Sequence, residues 1–215
     1  VGRLADEAAI TGLVRFPAAI DRQLPLELPN RRRDERDAQG QRGIGHRQPG
    51  REIVAAVQDD VGPLDQGGGI RKVLPLIGDA PFYVYNTDAF WFDAPRSNLL
   101  TLAQAWDPDK MDAALLLAPT QGSVGVDWEG DFDLAPDGRI IRRAGPKPYV
   151  YAGVGLLKPQ LFAQETQEVF KLAPFLFAAA EKGRLFGVVS EGLWLHVGSI
   201  DAIGAAERAI AARQE

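Results

Sequence analysis

Two short runs constrain this chain more than any other feature. Pro81-Phe82-Tyr83-Val84-Tyr85 and Ala113-Ala114-Leu115-Leu116-Leu117-Ala118 are apolar at every position, not at alternate ones. A strand with one face in water alternates, whereas a strand covered on both faces reads as a continuous apolar run, the habit of strands inside an α/β sheet. Each run therefore asks for covering layers above and below it.

The surrounding segments supply those layers. Pro95-Arg96-Ser97-Asn98 opens a predicted helix through Trp106, with Ser97 or Asn98 as its cap. Residues 131–134 and 139–142 flank Pro136-Asp137-Gly138, a hairpin turn. Residues 149–157, with Gly153 and Gly155 inside, read as a further strand, and residues 172–182 as a helix stopped by Gly183. Residues 184–189 and 193–197 read as late strands. Ser199 caps a closing helix to about Arg213, with Asp201 at its positive end. The order predicts an α/β fold: a mixed sheet with a β-rich hairpin insertion.

The N-terminal part reads differently. Asn30-Arg31-Arg32-Arg33-Asp34-Glu35-Arg36-Asp37-Ala38-Gln39-Gly40-Gln41-Arg42 has no apolar period. Its mixed charge argues for a solvated or disordered segment over a basic arm for phosphate or RNA. It also has the character of GC-rich DNA read out of frame: one back-translation of residues 30–36, moved on by one base, gives Thr-Ala-Gly-Val-Thr-Asn, an ordinary helix-to-strand junction. We therefore divide the chain into an atypical segment, 1–64, and the C-terminal part of a larger domain, 65–215. Of the first segment, only residues 8–14, 18–20 and 53–57 are apolar enough to be recruited, as helices or an edge strand. Residues 30–51 are expected to remain loop.

Composition removes several classes of function. With 46% apolar and 25% charged residues, the chain has the balance of a globular domain. A formal net charge of −5 argues against nucleic acid as a partner. No apolar run reaches the length of a membrane span, and no leader is expected. Cysteine is absent, which excludes thiolate chemistry and points to a reducing, cytoplasmic location. His46 and His196 are the only histidines, too few for a histidine metal cluster.

Three places carry candidate chemistry. Gly67, Gly68 and Gly69 precede a predicted helix, where glycine admits close backbone approach and a helix start offers N–H groups to a ligand; a plain turn would use them equally well. Asp88 ends the polar Asn86-Thr87-Asp88 step after the first buried strand. Ligands of such sheets sit at the carboxyl ends of the strands, where a carboxylate can hold Mg²⁺ against substrate phosphates; an Asp capping a turn is the alternative. His196 stands on the apolar Trp194-Leu195-His196-Val197 run, facing the same mouth or simply satisfied at the core edge.

Taken together these places have the order and spacing of one family. Asp65-Gln66-Gly67-Gly68-Gly69-Ile70-Arg71-Lys72-Val73-Leu74-Pro75-Leu76-Ile77-Gly78-Asp79-Ala80-Pro81-Phe82, followed by Asn86-Thr87-Asp88, resembles the sugar-1-phosphate nucleotidyltransferases, most of all their N-acetylmuramate-1-phosphate uridylyltransferase-like branch. Gly130-Asp131-Phe132, Tyr151-Ala152-Gly153, Phe170-Lys171-Leu172-Ala173-Pro174 and Trp194 through Ser199 extend the match over about residues 64–213. The resemblance implies a Rossmann-like nucleotidyltransferase fold, a nucleoside triphosphate and a sugar 1-phosphate as substrates, and Mg²⁺ as cofactor. It implies Gly67, Gly68 and Gly69 at the nucleotide, Asp131 and Gly153 at the sugar, and Asp88 and His196 at the metal. It assigns no role to Lys171.

Two departures matter. Family members commonly carry Asp where this chain has His196, and imidazole suits Mg²⁺ poorly. The family also opens with a strand, a Gly-rich Arg-containing loop that grips the triphosphate, and a Lys-Pro element; nothing in residues 1–64 reproduces them, Gly43-Ile44-Gly45-His46 included. The resemblance therefore implies low or no turnover here, and a non-catalytic nucleotide-sugar-binding module is the competing expectation. A glycosyltransferase on the same sheet would carry two carboxylates around one residue, and Asn86-Thr87-Asp88 supplies one.

Overall fold

The computed structural model describes residues 11–15, 53–54 and 64–213. In chain order the elements are β1 (Thr11–Arg15), β2 (Ile53–Val54), α1 (Asp65–Ile77), β3 (Phe82–Asn86), β4 (Ala89–Phe92), α2 (Asn98–Ala105) and β5 (Ala113–Pro119). They continue with β6 (Asp133–Leu134), β7 (Ile140–Ile141), β8 (Tyr149–Leu157), α3 (Ala173–Glu181), β9 (Leu185–Val189), β10 (Leu193–His196) and α4 (Ile200–Ala211). A 3₁₀ turn, Pro159–Phe162, follows β8.

The main sheet has the order β2-β1-β3-β8-β5-β9. β5 and β9 run parallel, and β8 is antiparallel to both of its neighbours, β3 and β5. The sheet is therefore mixed, as the sequence predicts. The two runs expected to be covered on both faces are β3 and β5. Leu115 and Leu117 point into a core shared with Ile70, Val73 and Ile77 of α1 and Leu176 of α3. Ala114 and Leu116 point the other way, into a second core with Leu102 of α2, Trp106 and Trp194. Leu115, Leu116 and Leu117 are wholly buried, so truncating any of them to Ala costs about 2–5 kcal/mol.

Two small sheets flank the main one: the β6–β7 hairpin of the insertion, and β4 paired antiparallel with β10. β4 is absent from the sequence reading, although Ala89-Phe90-Trp91-Phe92 is itself a short continuous apolar run. The cap of α2 also differs from expectation. Ser97 occupies the N-cap position without a side-chain bond, and Asp93 Oδ1 accepts from the Asn98 amide at 2.9 Å instead. At α4 the expected cap is present, with Ser199 Oγ accepting from the Ala202 amide at 3.2 Å.

In the N-terminal segment, β1 begins inside the apolar piece 8–14 and pairs antiparallel with β3 along its whole length. β2 falls in the piece 53–57 and pairs with β1. The loop expected at 30–51, the piece 18–20 and the out-of-frame reading of 30–36 lie outside the described residues. Among those described, no helix is long and apolar enough to cross a membrane.

Candidate functional site

β3 ends at Asn86, and Thr87 and Asp88 turn the chain straight into β4. Because β4 pairs with β10 so that Ala89 lies opposite His196, the turn and the far end of β10 meet. The Val197 amide donates to the Asp88 carbonyl at 2.7 Å, and His196 Nε2 stands 3.5 Å from Asp88 Oδ2. The imidazole is buried and stacked on Trp194, with rings 6.0 Å apart and 11° from parallel, while Trp128 meets it edge-on at 5.7 Å. A side chain at residue 198 would approach the His196 ring to 2.6 Å, so Gly198 is there for space.

The opposite wall is built on β8. Its pairing with β5 passes from Gly155 opposite Leu115 to Tyr151 opposite Leu117, so residues 152–154 bulge against one residue of β5. Gly153 takes the bend with φ +80°, and a Cβ there would lie 3.1 Å from the Cβ atoms of Asn86 and Ala89. Bulges of this kind re-aim side chains beside functional sites. Trp194 Nε1 pins the bulge by donating to the Ala152 carbonyl at 2.9 Å. Just before it, the Tyr151 amide donates to Asp131 Oδ2 at 2.9 Å, and Trp128 Nε1 donates to Asp131 Oδ1 at 3.2 Å. Burial pushes the Asp131 carboxyl above the ordinary aspartate range, and these donors with the nearby Lys147 charge oppose the rise.

Gln66, Asp88, Asp131, Tyr151, Gly153 and His196 thus line one small pocket at the carboxyl end of β3. Gln66 Nε2 donates to Asn86 Oδ1 at 2.7 Å and holds the start of α1 against the end of β3. The Tyr151 hydroxyl is buried and has no hydrogen-bond partner among the described residues. Burial, and secondarily the Asp88 charge, raise its pKa and keep it a neutral donor.

The glycine tract sits beside this pocket in a different way from that expected. α1 begins at Asp65, so Gly67, Gly68 and Gly69 lie in the helix and not in a loop before it. The Gly67 and Gly68 amides both donate to the Phe170 carbonyl, at 2.9 and 3.2 Å. A side chain at Gly67 would overlap Phe170, and one at Gly68 the Glu168 carbonyl, whereas Gly69 faces open space. Two of the three glycines therefore serve close packing. Lys171, which follows Phe170, is exposed on the same segment.

The structure accordingly gathers Asp88, His196, Asp131 and Gly153 around one pocket, with the glycine tract at its edge through Gln66. Gln66, Trp128 and Tyr151 are the pocket residues that sequence reasoning does not single out. No group of three or more Asp, Glu or His side chains at metal-holding spacing occurs among the described residues. Asp131 also borders a second space, a groove of about 1150 Å³ between the β6–β7 insertion and α3.

The mixed sheet is that of a Rossmann-like α/β fold, and the chain belongs to the sugar-1-phosphate nucleotidyltransferase family. It is 40% identical over 160 residues to the N-acetylmuramate alpha-1-phosphate uridylyltransferase of Caulobacter vibrioides, across 74% of this chain and 66% of that one. It is 32% identical over 152 residues to the enzyme of the same name from Neisseria meningitidis serogroup B, across 68% of this chain and 62% of that one. The chain thus spans somewhat less than two thirds of the length of these relatives. In fold it is similar to the UTP-bound UGPase from Acinetobacter baumannii, with a TM-score of 0.54 at 17% identity over 69% of this chain and 57% of that chain. No family model matches the chain.

Proposed function

We propose that this chain serves uridylyl transfer to N-acetylmuramate 1-phosphate. A phosphate oxygen of the sugar 1-phosphate attacks the α-phosphorus of UTP, the bond to pyrophosphate breaks, and UDP-N-acetylmuramate and pyrophosphate leave. The observation that carries this reading is the Asp88 carboxylate at the carboxyl end of β3, held beside His196 and facing Asp131 and Gly153 across one pocket. Phosphoryl chemistry of this kind rests on positioning and charge neutralisation, so the absence of a protein nucleophile in the pocket is no obstacle.

The donor set fits Mg²⁺, which is commonly held by one or two carboxylates together with substrate phosphates and water. Asp88 would be the protein ligand, and Mg²⁺ would supply neutralisation of phosphate charge. His196 fits less well as a ligand, since a hard cation prefers oxygen; its geometry suits orientation of the Asp88 carboxylate. Asp131 and the bulge at Gly153 would face the sugar. The nucleotide would lie along α1, with Gly69 the glycine free to approach it and Gly67 and Gly68 fixing the helix behind.

The test is pyrophosphate release from UTP and N-acetylmuramate 1-phosphate with Mg²⁺, alongside calorimetric binding of UDP-N-acetylmuramate. Release above background supports transfer. A second reading is favoured by the missing Gly-rich, Arg-containing loop in residues 1–64: a nucleotide-sugar-binding module without turnover, for which binding persists and release does not. Neither binding nor release would sink both readings.

A further inference from the structure

The groove beyond Asp131 is lined by several cations, and they are not equivalent. Arg139 is tied to Asp137 at 2.7 Å and Arg143 to Asp133 at 2.6 Å. Arg142 lies 3.6 Å from Glu181 with its guanidinium 3.8 Å above the Phe177 ring. Lys147 and Lys182 have no carboxylate within ion-pair distance among the described residues; of the two, Lys147 is the one beside Asp131, and its Nζ donates to the Gly145 carbonyl at 3.0 Å. Its charge nevertheless reaches Asp131, which sits in the wall common to this groove and the Asp88 pocket.

Lys147 is also held firmly. Its amide donates to the Glu129 carbonyl at 2.7 Å, and its carbonyl packs so closely on residue 130 that only glycine fits there, with φ +79°. The backbone that carries this ammonium is thus fixed beside the candidate sugar side of the pocket, which lowers the cost of ordering it on an anionic partner.

We propose that Lys147 is a specificity-determining residue that recognises a carboxylate carried by the sugar. The inference rests on the reading of the chain as a binder of N-acetylmuramate derivatives. N-acetylmuramate differs from N-acetylglucosamine by a lactyl ether ending in a carboxylate, and the open groove beyond Asp131 has room for that arm. A neutral sugar leaves Lys147 in water. An acidic one gives it a partner, and the ammonium counters the sugar carboxylate as well as the nearby Asp131 charge.

The experiment is calorimetric titration of the full chain with UDP-N-acetylmuramate and with UDP-N-acetylglucosamine, which share the uridine and the diphosphate and differ in the carboxylate. We expect the wild type to prefer the acidic sugar by roughly fivefold, the preference shrinking as salt rises. Lys147→Met should remove it, Lys147→Arg should retain it, and Lys147→Glu should reverse it. A preference that survives Lys147→Met, or equal binding of both sugars by the wild type, overturns the role of Lys147 and leaves the proposed function standing. Failure of the wild type to bind either compound overturns this inference, and together with absent pyrophosphate release it overturns the proposed function as well.

Discussion

His196 Nε2 lies 3.5 Å from Asp88 Oδ2, although the two residues belong to the two ends of the described domain. β4 makes this possible, since it leaves the Asp88 turn and pairs at once with β10. The approach puts the imidazole where it can orient that carboxylate. The substitutions below separate the chemistry of that carboxylate from the packing that aims it.

Asp88→Asn keeps the shape of the turn and removes the charge. Pyrophosphate release by an active form of the protein should fall on the order of 100-fold or more, since a metal-held phosphate contact is worth several kcal/mol. The denaturation midpoint should stay near that of wild type. Activity within a few-fold of wild type would remove Asp88 from the metal site.

His196→Asn should show the reverse balance. The ring is buried between Trp194 and Trp128, so the shorter side chain leaves a void and should cost about 1–3 kcal/mol in urea unfolding. Release should drop less than in Asp88→Asn, as the proposed role of the imidazole in orienting the carboxylate requires. Equal losses of activity in the two variants would make His196 a direct participant.

The glycine tract yields a three-way comparison by thermal melting. Gly67→Ala and Gly68→Ala drive a methyl into Phe170 and the Glu168 carbonyl and should lower the midpoint by several degrees. Gly69→Ala meets open space and should stabilise α1 by up to about 1 kcal/mol. If Gly69 approaches the nucleotide, the same variant should also weaken UTP binding. Gain in stability with unchanged affinity would take Gly69 out of the nucleotide site.

Asp131 sets a pH dependence with a definite sign. Its folded-state pKa is raised by burial, so across the interval between the ordinary aspartate value and the raised one the folded state holds more proton than the unfolded state. Stability from this residue is therefore full below that interval and falls as pH rises through it. Carbon-detected NMR titration of the Asp131 carboxyl should give a midpoint above the ordinary aspartate range, and a midpoint below it would contradict the desolvated setting.

What sequence reasoning finds here is what local pattern encodes. The doubly apolar runs at β3 and β5, the hairpin turn at Pro136-Asp137-Gly138, the Ser199 cap and Asp88 at a strand end all follow from residues close together in the chain. Non-local features escape it. Nothing local tells that Ala89-Phe90-Trp91-Phe92 will find β10, or that the Tyr151 amide will donate to Asp131 across 20 residues. Three successive glycines argue against helix by propensity, and packing against residues 168–170 overrides that preference. The roles of Gln66 and Lys147 depend on neighbours that only the folded chain brings near.

The same long reach governs how the pocket comes into being. Arg71 bonds to the Gln167 carbonyl across 96 residues of chain, and the Asn98 side chain to the Glu191 backbone across 93. Contacts so distant in sequence carry a large loop-closure cost and form slowly. The hairpin of the insertion can form early from local sequence, whereas the walls around Asp88 must wait for β10 and the 167–170 segment to be synthesised and docked. During translation, then, the β6–β7 hairpin can take shape while the Asp88 end of the pocket is still open, and the pocket is complete only once β10 docks on β4.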